Sequence, residues 1–231
     1  ANGAQSKTIY IPAGLKTVEL VNGSQTKPSS TILKTNITKL YGAGYNIISQ
    51  VKKARRILFI GDSITVGANA TVPSVQGFVG LLKFANTDVD IITEGYGFAT
   101  LYDYNQDGFA SLISRIDSSI TDVVICLGTN DYALNKWTTI EAFQTAYNNL
   151  LTALAGKNIN AVTPIVRTTE TANASGLTTG NFRTAITTVA GSNAIDGTVL
   201  VSIGNLSDGV HPNNAGHIEY ANNLKPILNL I

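Results

Sequence analysis

The chain has 231 residues, of which 44% are hydrophobic and 13% charged, with a formal net charge of +1. That length suits one well-packed domain with a modest appendage, and the apolar content excludes a disordered chain. Charge near zero, with no block of one sign, excludes steering toward nucleic acid or an acidic membrane, and no apolar run reaches the ~18–20 residues that span a bilayer.

Residues 1–55 hold short β-like stretches at Thr8–Ile11, Lys16–Val21, Thr31–Leu33 and Tyr45–Ile48, punctuated by Gly, Pro, Asn and Ser. They predict a small strand-rich extension that leans on another unit for its core. Lys52, Lys53, Arg55 and Arg56 read as a solvated linker. From Arg56 the pattern changes. Ile57–Ile60 predicts a buried strand, Val75–Phe84 a helix with Val75, Phe78, Val79 and Leu82 on one face, and Val89–Thr93 a second strand. A helix over Phe109–Ile116 and a third strand over Val123–Leu127 follow. The clearest helix carries Ile140, Phe143, Tyr147, Leu150, Leu151 and Leu154 on one stripe. Thr138 and Glu141 have capping-box spacing at its start, and Gly156 ends it. Ile159–Val166 predicts a fourth strand interrupted by Pro164, residues 179–190 a helix, and Val199–Ile203 a fifth strand. Asn214–Leu224 predicts the last helix, with Pro226 disturbing its end.

Alternation of this kind specifies a parallel sheet covered on both faces. Five strands predict a flavodoxin-like, three-layer α/β/α domain over residues 56–231, with the strand-rich extension over 1–55 ahead of it. Such sheets bind ligands beyond the carboxyl ends of their strands, near the point where strand order reverses. Four segments fall there: Gly61-Asp62-Ser63-Ile64-Thr65, Glu94-Gly95-Tyr96-Gly97-Phe98, Gly128-Thr129-Asn130-Asp131 and Asp208-Gly209-Val210-His211-Pro212-Asn213.

Each segment has a bland reading as a turn or helix cap. Jointly they hold the parts for cleaving an ester. Ser63, in a turn directly after a strand, is the candidate nucleophile. His211 is the candidate base, because the second histidine, His217, lies inside the following helix. Asp208 precedes His211 by three residues, which a turn brings within about 5–6 Å. Its carboxylate can then hold the tautomer that presents Nε2 to the serine. Asn130 can donate to an oxyanion, with backbone N–H groups of Ser63 and of Gly97 or Phe98 completing the hole. Asp62 and Asp131 read as local acceptors that fix their turns, and Asn213 as the cap of the last helix. Tyr96, Tyr132 and Trp137, with Phe98, are candidate walls of a substrate pocket. With one cysteine and two histidines no metal cluster has credible spacing, so no cofactor is expected. Cys126 reads as a small buried hydrophobe.

Taken together, the segments resemble the GDSL, or SGNH, family of serine hydrolases. Ser63 stands at the nucleophile position of the first block, Asn130 at the oxyanion position of the third, and Asp208 and His211 at the acid and base of the last. The second block departs: Phe98, after Gly97, stands where the family has glycine as a backbone donor. The resemblance implies an SGNH hydrolase fold and a metal-free esterase working through an acyl-serine intermediate. Gly14–Leu20 and the strand-like sequence after it are similar to carbohydrate acetylesterases that carry a sandwich ahead of the hydrolase domain. Short acyl, chiefly acetyl, esters of small molecules or carbohydrates are therefore the expected substrates, with no nucleic-acid or membrane partner. The competing reading is a carbohydrate-binding or adhesive surface protein whose hydrolase domain is vestigial. Low charge, abundant Ser, Thr and Asn and the absence of methionine suit a processed, secreted or cell-surface protein, although residues 1–10 lack a signal-peptide core.

Overall fold

The computed structural model describes residues 53–230. Nearly all of the predicted extension over 1–55 therefore lies outside the described residues. The first strand, β1 (Arg55–Gly61), leads into two short helices, α1 (Pro73–Gln76) and α2 (Phe78–Ala85), and then β2 (Val89–Gly95). Two more short helices, α3 (Leu101–Asn105) and α4 (Ala110–Arg115), precede β3 (Asp122–Cys126). After it come α5 (Thr129–Ala133), α6 (Ile140–Ala153), β4 (Asn158–Val162), α7 (Thr179–Ala190), β5 (Ala194–Ile195) and α8 (Asn214–Ile227). The five strands are parallel in the order β2-β1-β3-β4-β5. Order reverses between β1 and β3, so the crevice beyond their carboxyl ends lies at the switch point.

Alternation along β1 makes the two cores. Leu58 and Ile60 face one layer with Val123 and Ile125 of β3, against Phe143, Tyr147 and Leu150 of α6 and Phe182 of α7. Ile57 and Phe59 face the other with Val124, against Phe78 and Leu82 of α2 and Tyr220 and Leu224 of α8. Period-two strands buried on both faces need apolar residues at every position, which is why β1 and β3 read as continuous apolar runs. Burying one such side chain contributes roughly 1.5–3 kcal/mol. Aromatic contacts tie each layer: Phe78 stacks on Tyr220 with centroids 4.0 Å apart, and Phe143 meets Phe182 edge-on at 4.7 Å.

Several local expectations need correction. Val199–Ile203 is not the fifth strand. Residues 197–199 and 203–205 are 3₁₀ turns, and β5 is only Ala194–Ile195. Leu200 and Val201 are nevertheless buried in the core, so the apolar run reports burial without sheet pairing. The chain turns away because Gly197 lies tight against β4's end: its N–H donates to Thr163 Oγ1, and a Cβ there would stand 1.9 Å from the Thr163 carbonyl. The fourth strand stops at Val162, short of Pro164, which has no N–H for a ladder. The helix expected over Val75–Phe84 is two helices broken at Gly77. The cap of α6 is Thr139, which accepts from the Ala142 N–H; the capping box predicted at Thr138 does not form, and one forms instead on α7 between Thr178 and Asn181. Helix α8 runs through Pro226 to Ile227.

Arg55 and Arg56 are not linker residues. They belong to β1, where Arg55 pairs with Asp122 at 3.1 Å and Arg56 with Asp90 at 3.2 Å. Among the described residues, no helix is long and apolar enough to cross a membrane, and no group of three metal-ligating side chains occurs.

Candidate active site

Ser63 leaves β1 two residues past its end, in a turn anchored by its neighbours. Asp62 Oδ1 accepts the Ile64 N–H at 2.9 Å, and the Ser63 carbonyl accepts the Ala68 N–H at 2.9 Å. The serine is left half-buried with its Oγ 2.8 Å from His211 Nε2. His211 comes from 148 residues away, on the segment that enters α8. Its Nδ1 stands 2.7 Å from Asp208 Oδ2. The other carboxylate oxygen, Oδ1, accepts the backbone N–H groups of Val210 at 3.0 Å and His211 at 2.8 Å. Gly209, at φ +80°, lets the chain fold back so that all three donors reach one carboxylate. Partial burial pushes the Asp208 carboxyl up, but the His211 N–H and ring and the Val210 N–H outweigh it and hold the group well below the usual carboxylate range. That shift favours the carboxylate form, and an anion at Nδ1 favours a proton there and a lone pair at Nε2 toward the serine.

His217 is fully buried and committed elsewhere: Nε2 lies 2.9 Å from the Ala68 carbonyl, and Nδ1 accepts the Phe78 N–H at 3.3 Å. Burial lowers its pKa, which favours the neutral ring these two bonds require.

The candidate oxyanion donors lie on the segments that follow β1, β2 and β3. Asn130 is buried, and its Nδ2 donates to the Ala99 carbonyl at 3.2 Å, which leaves its second amide hydrogen uncommitted. Ala99 closes a turn by donating to the Tyr96 carbonyl at 3.2 Å. Among the described residues the backbone N–H groups of Ser63, Gly97 and Phe98 donate to no protein acceptor. Phe98 adopts φ +64°, a rare conformation for a bulky residue, and is 72% exposed.

The expected aromatic walls are placed otherwise. Tyr96, Tyr132 and Trp137 are all buried in the core layer over β1 and β3. Trp137 Nε1 donates to Asp131 Oδ1 at 2.7 Å, and Tyr132 Oη donates to the Thr171 carbonyl at 2.6 Å. The bodies of these three pack the core, and of the four only Phe98 is exposed. Asp131 does more than fix its own turn. Besides Trp137 it accepts the Leu101 and Tyr102 N–H groups at 2.9 and 3.1 Å, capping α3 from 30 residues away. Cys126 is half-buried and unpaired, and burial pushes its thiol up to about 12.

Asp62 and Asp131 are almost completely enclosed, and burial pushes each carboxyl up to about 6. The folded protein therefore keeps protons that the unfolded chain releases near pH 4. The associated stability is fully present below pH 4 and is lost as pH rises through about 6, by roughly 2–3 kcal/mol per group. Asp62→Asn retains an oxygen for the Ile64 N–H and removes the titration. Its stability relative to wild type should therefore rise between pH 4 and pH 7, read from urea midpoints. A difference that does not vary with pH would show that Asp62 carries no such penalty.

Sequence reading missed Asn69. It lies on the Ser63 loop at φ +67°, and its Nδ2 reaches Asp208 Oδ2 at 3.1 Å and Ser207 Oγ at 2.6 Å. Asn69 alone reads as a turn residue, and its partners lie 138 and 139 positions downstream, so no local signal exposes the contact. The link between Thr71 and Asn214 was missed for the same reason.

A serine and an imidazole hydrogen-bonded on the carboxyl rim of a doubly wound sheet are the arrangement expected of a serine hydrolase. Residues 59–217 match the GDSL-like Lipase/Acylhydrolase family, and the chain belongs to that family of carboxylic ester hydrolases. No curated protein matches the chain in sequence. Solved structures share the fold. A salicylyl-acyltransferase from a tetracycline biosynthetic pathway is 16% identical with a TM-score of 0.62, over 78% of this chain and 55% of its own length. A carbohydrate acetylesterase family member from Sinorhizobium meliloti is 21% identical with a TM-score of 0.62, over 76% of this chain and 97% of its own. An aryl esterase from M. smegmatis is 21% identical with a TM-score of 0.60, over 77% of this chain and all of its own.

Proposed function

We propose that the protein is a metal-free serine esterase that removes short acyl groups, chiefly acetyl, from carbohydrate. The observation that carries the mechanism is the unbroken chain Ser63 Oγ, His211 Nε2, His211 Nδ1, Asp208 Oδ2, with links of 2.8 and 2.7 Å. Ser63 Oγ attacks the ester carbonyl as Nε2 takes its proton. The oxyanion is met by the Ser63 N–H, the free hydrogen of Asn130 Nδ2 and the N–H of Gly97 or Phe98. The imidazolium returns its proton to the departing alkoxide, leaving acyl-Ser63 and a free alcohol. Water repeats the sequence, and the carboxylic acid leaves.

The acetyl and carbohydrate parts of the reading rest on likeness to solved carbohydrate acetylesterases. Exposed Phe98 beside the uncommitted donors offers a face for a sugar ring. The panel that tests the reading contains acetylated xylo-oligosaccharides, acetylated monosaccharides and nitrophenyl esters of increasing acyl length, with free acid measured. Acetate release from the glycans and a rate that falls with acyl length are expected. No turnover of any member would remove the esterase reading. Tight binding of unacetylated glycan without turnover would return the adhesive one, which the intact hydrogen-bonded chain disfavours. A secreted or cell-surface location belongs to the same proposal and predicts activity in the medium or on whole cells.

Asn130→Ala should lower kcat by about 10²–10³ with a much smaller change in KM, because its second hydrogen is needed only as charge develops. Steady-state kinetics on a nitrophenyl acetate check this. A drop below fivefold would assign the hole to backbone donors alone.

A further inference from the structure

Asp208 is held by four donors from two parts of the chain. Three belong to its own turn: the Val210 and His211 N–H groups on Oδ1 and the His211 ring on Oδ2. The fourth is Asn69 Nδ2, 3.1 Å from Oδ2, the same oxygen that faces the imidazole. Asn69 also reaches Ser207 Oγ at 2.6 Å, and the Ser207 N–H donates to the His211 carbonyl at 2.8 Å. The residue sits on the loop that carries Ser63, six positions on, and its left-handed backbone, which asparagine tolerates, accompanies a side chain turned back across to residues 207 and 208. Resting on the serine-esterase reading above, we infer that Asn69 is a positioning residue that fixes the Asp208 carboxylate and tunes the basicity of His211 by sharing Oδ2 with its ring.

The physical argument has two parts. A carboxylate oxygen that accepts from a neutral amide presents less negative charge to the imidazolium than one that faces it alone. Asn69 therefore moderates the stabilisation that Asp208 gives to the protonated ring. It also stops the carboxylate, about half exposed, from rotating Oδ2 toward water. One amide thus couples the nucleophile's loop to the acid of the base. The other ionisable groups near His211 are Asp62, beneath the Ser63 turn, and His217 in α8; both act on the ring through space and neither is altered by changing Asn69.

Two substitutions separate the amide from the backbone it stands on. Asn69→Gly keeps the left-handed conformation and removes the donor. Asn69→Asp keeps the shape and places a second carboxylate beside Oδ2. The first readout is the pH profile of kcat/KM on a nitrophenyl acetate. The acid limb should move to higher pH by a few tenths of a unit in Asn69→Gly and by about one unit in Asn69→Asp, with kcat of Asn69→Gly down about tenfold and KM within twofold. The second readout needs no turnover: the His211 ring titration by proton NMR, assigned by its loss in His211→Asn, should shift in the same order. Thermal melts run alongside. Wild-type pH profile and ring titration in both variants would overturn the inference, whatever happens to stability. If wild type turns over no ester yet the ring titrations shift as stated, the positioning role stands and the esterase reading fails.

Discussion

Replacing Ser63 with alanine should reduce ester turnover by roughly 10⁴–10⁶-fold. Among the described residues, the Oγ is the nucleophilic atom at hydrogen-bond distance from His211 Nε2. Cys126, the chain's single thiol, belongs to β3, where burial pushes its pKa up to about 12. Residual activity should come from the oxyanion donors and binding alone. The variant should fold normally, since the backbone bonds of the turn, Ala68 N–H to the Ser63 carbonyl among them, do not use the side chain. Its melting temperature should lie within a few degrees of wild type, because Ser63 Oγ makes one partly exposed hydrogen bond. Kinetics on a nitrophenyl acetate, with a melt on the same sample, check both statements. Turnover within a hundredfold of wild type would mean that water, or another group, attacks.

Asp208→Asn should cost about 10⁴ in kcat with little change in KM. The amide oxygen can still accept the Val210 and His211 N–H groups, so the turn survives. The new amide nitrogen, however, faces His211 Nδ1 as a donor. That places the ring proton on Nε2, which then donates to Ser63 instead of accepting from it. The anion that would stabilise the imidazolium is gone as well. The effect on stability should be small, on the order of 1 kcal/mol or less, because the Asp208 side chain is 49% exposed and solvent screens it. A variant that keeps a tenth or more of wild-type kcat would show that another group orients the ring. The double substitution Asn69→Gly with Asp208→Asn adds a check on coupling. Asn69→Gly should cost far less in the Asp208→Asn background, where no carboxylate remains for the amide to share.

The layered fold was legible because strands buried on both faces demand unbroken apolar runs, and Ile57–Ile60 and Val123–Leu127 have them. The helical stripe of α6 was equally plain. Weaker signals failed in instructive ways. Val199–Ile203 looks like a strand, yet Leu200 and Val201 are buried in a turn between two 3₁₀ segments, and apolarity alone does not distinguish the two. Thr138 was the expected cap of α6, but Thr139, in extended backbone, takes that role and accepts the Ala142 N–H. Tyr96, Tyr132 and Trp137 lie within a few residues of the oxyanion segments, but nearness in sequence did not say which way each ring turns. Asp131, a buried acceptor, drew Trp137 inward.

Local chemistry determined much by itself. Strand runs followed by Gly-Asp-Ser and Gly-Thr-Asn-Asp turns, and an Asp three residues before a His, are short-range patterns whose geometry the backbone enforces. They marked the parallel sheet, the rim, and Ser63, Asn130, Asp208 and His211 as the residues to watch. Only the tertiary structure decided which groups meet across 130 residues or more: Ser63 with His211, Asn69 with Asp208, Ala68 with His217. Those contacts are set by how two sheet faces and the N-terminal end of α8 pack, a long-range outcome that no window of sequence contains.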